Sequence, residues 1–86
     1  MRASQKRIYK IEEVVRDVLE RVLGVPRESI ANEKHLLSDY RMDSDDFSFI
    51  VAPELQKRLG IIIPNRVWQS TGDRVQDIIN VLAKYD

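Results

Sequence analysis

The sequence contains no cysteine, only one histidine, and three glycines and three prolines among its 86 residues. Without cysteine the chain forms no disulfide and offers no thiolate as a nucleophile or metal ligand. The single histidine, His35, is too little for a histidine-based metal site, and we expect it to lie in a surface loop. No apolar run approaches the roughly 18–20 residues that a membrane-spanning helix needs. We therefore expect a protein without disulfides, a membrane span or a bound metal.

The chain also has no net charge, because its 14 basic and 14 acidic side chains balance at pH 7. A neutral chain lacks the long-range attraction of proteins that bind nucleic acid, so we expect no such partner. Hydrophobic residues make up 43% and charged residues 33%, typical of a globular domain. Residues 1–86 suffice for one modest core and are expected to form a single domain. The basic start of the chain, Met1 to Lys10, lacks the apolar stretch of a secretory signal, which favours a cytoplasmic protein.

Three stretches of the chain place apolar residues at helical spacing. The first runs from Ile8 to Leu23 and stops at Gly24, a residue typical of helix C-termini. The second begins near Asp43 or Ser44 and stops at Gly60. Its predicted apolar stripe consists of Phe47, Ile50, Val51, Leu55 and Leu59. The last begins near Asp73, where Asp73 and Gln76 fit a capping box, and its apolar face holds Val75, Ile78, Ile79 and Leu82.

The remaining segments are a long connection and a short helix. The connection, from Val25 to about Asp43, is predicted to lie across the core because of its apolar residues, which are Ile30, Leu36, Leu37, Tyr40 and Met42. Pro64 to Gln69 is predicted to form a short helix, with Trp68 as a core or rim aromatic. Pro53 falls inside the second helix and should kink it or loosen the turn before it. The expected fold class is all-α, with three main helices plus a short third helix and a long loop between the first two.

Ser44 is the candidate functional residue, because it stands where a helix begins. An acidic cluster surrounds it, composed of Asp39, Asp43, Asp45 and Asp46 and interrupted only by Arg41. On the local sequence alone Ser44 is either an ordinary helix N-cap or a hydroxyl presented for covalent modification. A calcium loop is disfavoured: Asp43, Asp45 and Glu54 fall at positions 1, 3 and 12, but Ser48 occupies the position that needs glycine. The basic residues near the start of the chain, Arg2, Lys6, Arg7 and Lys10, are expected to form a solvated helix face.

Segments along nearly the whole chain resemble acyl carrier proteins. They are Ile11-Glu12-Glu13 through Leu23-Gly24-Val25, Leu36 to Ser44, Ile63-Pro64 and Arg74 to Ile79. The resemblance implies an acyl-carrier-protein-like four-helix bundle with Ser44 as the attachment point for 4′-phosphopantetheine. It makes the second helix the partner-recognition surface, and the residues expected to contact partners are Asp39, Asp43, Asp45, Asp46 and Glu54.

Some positions depart from the family pattern and indicate a divergent or specialised member. Asp45 replaces the leucine after the serine, Arg41 replaces a glycine, and Tyr40 replaces the leucine before that glycine. The segment between Ser44 and Pro64 is one residue longer than expected, and Pro53 lies in the lengthened region.

The resemblance implies a phosphoprotein that is not itself an enzyme. It would carry acyl or aminoacyl intermediates as thioesters, in fatty-acid, lipid or secondary-metabolite biosynthesis. The implied partners are a phosphopantetheinyl transferase and the enzymes that load and process the acyl group, acting on a monomeric carrier. The alternative is an unmodified helical protein-interaction module with the same fold.

Overall fold

Residues 4–86 are described by a computed structural model, in which they form four helices and no strand. Helix α1 is Gln5–Leu23, α3 is Asn65–Gln69 and α4 is Val75–Tyr85. Helix α2 consists of three consecutive segments: an α-helical turn Ser44–Asp46, a π-helical turn Phe47–Val51 and an α-helix Ala52–Leu59. The radius of gyration is 11.8 Å, close to the roughly 12 Å of a folded chain this long. The all-α prediction, with its short third helix and long first loop, is confirmed.

Helix α1 follows the predicted pattern and begins three residues earlier than expected. Ser4 caps it, because the Ser4 hydroxyl accepts a hydrogen bond from the Arg7 N–H at 3.1 Å. Gly24 ends it in the left-handed conformation, with φ 70°, that glycine adopts without a steric penalty. Its buried face consists of Ile11, Val15, Val18 and Leu19, which pack against α4 and α2.

The start of helix α4 differs from the prediction. Its N-cap is Arg74, whose N–H donates to the Asp77 carboxylate at 3.2 Å, so the predicted capping box of Asp73 and Gln76 is wrong. The Asp73 side chain is turned instead toward the long loop between α1 and α2, where it binds His35 and the Leu37 N–H. The helix therefore starts two residues later than Asp73.

The predicted apolar stripe of α2 is wrong at one position, Ile50, because the π turn changes the helical register. The Ala52 N–H donates to the Phe47 carbonyl five residues earlier, so this turn holds one residue more than an α-helical turn. Val51 and Ala52 are consequently buried, while Ile50 is 50% exposed rather than in the core. The turn directly precedes Pro53, as the predicted loosening requires.

The long loop lies across the core as predicted, with one exception. Ile30, Leu36 and Met42 are buried, and Tyr40 packs against the core from its edge. Leu37 is 44% exposed, so its predicted place on the core is wrong. A 3₁₀ turn, Arg27–Ser29, begins this loop beside α1.

The two ends of the described chain are tied together by an ion pair. Arg7 on α1 forms a bidentate pair with Asp86, which raises the pKa of Arg7 and lowers the pKa of Asp86. Lys6 and Lys10 are exposed, as the predicted solvated face requires, whereas the prediction is wrong for the half-buried, paired Arg7. Arg2 lies outside the described residues. Among residues 4–86, none of the helices combines the length and apolar character needed to cross a membrane.

Candidate functional site

Ser44 is exposed and is the first residue of α2. The N-cap is the preceding Asp43, whose backbone is extended and whose carbonyl accepts from the Phe47 N–H at 3.1 Å. The interpretation of Ser44 as an ordinary N-cap is therefore wrong. The Ser44 side chain stands on a helix without serving as its cap.

A cleft of about 250 Å³ opens beside Ser44. Leu36 and Ile78, both at most 2% exposed, contribute to its lining, so the cleft reaches the hydrophobic core. Phe47 and Trp68 also line it and meet edge to face, with ring centroids 5.4 Å apart. The polar part of the lining consists of Ser44, Ser48, Gln69, Thr71 and Asp73. The cleft thus combines an apolar interior with hydroxyl, amide and carboxylate groups.

The Gln56 side chain of α2 adds hydrogen bonds to the contact between α2 and α3. Its Oε1 atom accepts hydrogen bonds from Trp68 Nε1 at 2.8 Å and from the Ile63 N–H at 3.2 Å. Trp68 is partly buried against the core, which confirms the prediction of a core or rim aromatic. Since Trp68 forms part of the cleft lining, Gln56 sets the position of that wall.

Asp73 is the acidic residue in the cleft lining. Its carboxylate accepts from His35 Nδ1 at 2.7 Å and from the Leu37 N–H at 3.0 Å, and its carbonyl accepts from the Leu36 N–H at 2.8 Å. The hydrogen bond from His35 is the largest cause that lowers the pKa of Asp73. His35 lies in a loop as predicted, but it is half-buried and bonded rather than simply solvated. These bonds join the loop before α2 to the loop before α4.

Arg41 has a left-handed backbone, with φ 56°, and is the one non-glycine residue with positive φ in residues 4–86. Its two neighbours are both anchored. The Tyr40 hydroxyl donates to the Ser29 carbonyl at 2.6 Å, and the buried Met42 donates its N–H to the Leu36 carbonyl at 2.9 Å. The anchors impose a conformation that glycine adopts freely and arginine does not.

The five acidic residues predicted to contact partners fall into two groups. Asp43, Asp45 and Asp46 are exposed together at the start of α2. Glu54 instead pairs with Arg58 at 2.8 Å, and this bond lowers the pKa of Glu54. Asp39 accepts a bond from the His35 N–H at 2.7 Å. The structure thus concentrates uncommitted negative charge beside Ser44.

Two apolar residues on α2 lie on the surface, which the sequence did not predict. Phe49 is 77% exposed and Ile50 is 50% exposed, one turn beyond the acidic residues. Ile50 borders a groove that also contacts Val22 of α1, and Phe49 borders a groove that also contacts Trp68 of α3. The extra residue between Ser44 and Pro64, together with Pro53, was the signal in the sequence that the register changes here.

Within the described part of the chain, no group of three or more acidic, histidine or cysteine side chains is arranged to hold a metal ion. The donors of the disfavoured calcium loop do not assemble, and one of them, Glu54, is paired with Arg58. No protein-family model matches the chain, and no curated protein matches it significantly, so the case for a function rests on Ser44 and its surroundings.

Proposed function

We propose that this chain is a carrier protein, similar to acyl carrier proteins, that holds acyl or aminoacyl intermediates as thioesters on a 4′-phosphopantetheine arm attached to Ser44. The observation that carries the proposal is the position of Ser44. Its side chain is exposed on the first residue of a helix, is not used as the cap, and borders a cleft that reaches the core. A tethered group attached there has solvent on one side and an apolar recess on the other.

The chemistry of the arm suits these residues. The arm is joined through a phosphodiester, and negative charge is favoured near the N–H groups at the start of a helix. The arm carries the thiol that forms the thioester, so the chain needs no cysteine of its own. The protein supplies attachment and orientation, and the reactions belong to separate enzymes.

Partners of the carrier are proposed to bind the exposed face of α2. Asp43, Asp45 and Asp46 complement a basic surface, which speeds encounter with the correct enzymes. Phe49, exposed one turn further on, is suited to fill an apolar pocket, as aromatic anchors of interfaces do. The proposed partners are a phosphopantetheinyl transferase and the acyl-loading and acyl-processing enzymes of fatty-acid, lipid or secondary-metabolite biosynthesis.

The test is the intact mass of the chain after co-expression with a broad-specificity phosphopantetheinyl transferase. Wild type should gain the mass of one arm, and Ser44→Ala should gain none. Ser48→Ala is the matched control, because Ser48 is also exposed, lies one turn further along α2 and borders the same cleft. An unchanged wild-type mass with several transferases, or a gain that persists in Ser44→Ala, would contradict the proposal.

A second candidate is favoured by the exposure of Phe49. A 77% exposed phenylalanine beside three carboxylates is also what an unmodified protein-interaction module presents. The two candidates differ in the effect of Phe49→Ala. For a carrier, this variant slows modification by the transferase while the final mass gain stays complete. Ile62→Ala, at a position 86% exposed outside the helices, controls for the loss of any exposed apolar side chain. A module takes up no arm in either variant.

A further inference from the structure

The backbone of Arg41 is held in a conformation that disfavours arginine. Its φ of 56° is imposed by anchors on both sides, Tyr40 bonded to Ser29 and Met42 buried in the core. Glycine reaches this region without a clash between its side chain and the backbone. Nothing in the local folding of the loop therefore calls for arginine at this position. Strained residues of this kind concentrate at functional sites.

The Arg41 side chain is exposed and takes no part in the ion pairs of residues 4–86. The arginines that do form such pairs are Arg7, Arg27, Arg58 and Arg74. Carboxylates nevertheless surround Arg41 in the sequence, including Asp39 and Asp43. An exposed guanidinium in a strongly acidic segment is thus available for a further anion.

We infer that Arg41 is a positioning residue that pairs with the phosphodiester of the arm on Ser44. This inference rests on the proposed function. Ser44 is three positions after Arg41, so their Cα atoms lie at most about 11 Å apart. The long side chain of arginine can cover much of that distance, and its planar fork matches two phosphate oxygens at once.

The pairing answers an electrostatic problem at the site. Asp45 and Asp46 follow Ser44 directly and repel a phosphate attached to it. Arg41 precedes the serine in the sequence, and its cation offsets this repulsion. Because the loop holding Arg41 is anchored to the core, the pair also restricts the direction in which the arm leaves the protein. The acidic residues then remain available to partners while the phosphate is neutralised within the chain.

Nitrogen-15 NMR of the arginine side chains, on wild type with and without the arm, tests the contact directly. The expected result is a shifted Arg41 Nε–H resonance that exchanges more slowly with water in the modified protein. The Arg21 resonance is the internal control, since Arg21 borders the groove beside Glu54, about 15 Å along α2 from Ser44. An Arg41 resonance that is the same in both forms overturns the inference.

Thermal unfolding of wild type and four variants provides a second, independent test. In wild type the attached arm should raise Tm by roughly 2–4 °C, the scale of one exposed ion pair in a domain of this size. The increase should vanish in Arg41→Gln and Arg41→Gly, persist in part in Arg41→Lys, and stay intact in Arg21→Gln. It should also shrink at high salt. An equal increase in all variants overturns the inference.

Intact mass separates the two levels of failure. If wild type never gains the arm, the carrier function and the role of Arg41 are both overturned. If the arm is attached but the Arg41 resonance does not change and the Tm increase is the same without Arg41, the carrier function stands. Only the role of Arg41 is then overturned.

Discussion

The two halves of the bundle are built differently. Helices α1 and α4 are regular, and their apolar residues lie on one buried face each. In the half formed by α2 and α3, a π turn interrupts the longer helix and the shorter one has five residues. Phe49 and Ile50 are exposed there, and the left-handed Arg41 lies just before the first turn. Irregular geometry is thus concentrated around Ser44, where the proposed function requires access, while α1 and α4 keep the regular helical period.

The largest expected effect comes from truncating the same residue type in both halves. Ile79→Ala on α4 removes a side chain that is 2% exposed and should lower the free energy of unfolding by about 2–5 kcal/mol. Ile50→Ala on α2 removes one that is 50% exposed and should change it by less than about 0.5 kcal/mol. Urea denaturation measures both. Equal losses would contradict the exposed position that the π turn gives Ile50.

The attachment of α3 can be broken at Gln56. Gln56→Ala leaves Trp68 Nε1 and the Ile63 N–H without their shared acceptor, which should cost about 1–3 kcal/mol. Trp68 is the single tryptophan of the chain, so its fluorescence emission should shift to the red as α3 separates from α2. The control is Arg66→Ala, an exposed position on α3 outside the cleft lining, which should leave the spectrum unchanged. A spectrum of Gln56→Ala identical to wild type would show that other contacts hold α3.

Opposite changes at two left-handed positions should have opposite effects on stability. Gly60→Ala, at φ 67°, should destabilise the chain by about 1 kcal/mol, although the space beside Gly60 is open. Arg41→Gly should stabilise the unmodified chain by up to about 1 kcal/mol, because relief of the strained φ outweighs the added entropy of the unfolded state. Chemical denaturation of the protein without the arm tests both. A destabilised Arg41→Gly would mean that the side chain contributes to folding.

Lowering the pH should destabilise both halves of the bundle, and this should be the smallest of the four predicted effects. The pKa values of Asp73, beside the cleft, and Asp86, beside α1, are each lowered, first by hydrogen bonds from His35 and Arg7 respectively. The unfolded chain then binds more protons, so stability is complete at neutral pH and falls as pH drops below about 4. Asp73→Asn should flatten this slope in part. A stability that is constant between pH 5 and pH 2.5 would contradict the assigned pairs.

Helix ends and core positions could be predicted where the signal is local. Gly24 and Gly60 end their helices with positive φ, as expected of glycine at that position. The buried face of α4 contains the predicted Val75, Ile78, Ile79 and Leu82, because the helix keeps a regular period. The exposed position of Ser44 at the start of α2 agrees with the prediction as well.

The errors share one physical cause, which is competition between local and distant partners. Asp73 was expected to cap α4, but it binds His35, 38 residues earlier in the chain. Ile50 was expected in the core beside Val51, but the π turn leaves Ile50 exposed and buries Ala52 with Val51. In neither case do the neighbouring residues in the sequence reveal which arrangement is preferred.

The sequence alone determined the helices, most of the core and the serine at the head of α2, because helical periodicity and end signals act over a few residues. Only the tertiary structure decided the register of α2, the left-handed turn at Arg41 and the two walls of the cleft. Those features depend on contacts such as Gln56 with Trp68 and Asp73 with His35, which join residues distant in the chain. Such contacts form only once the helices have packed.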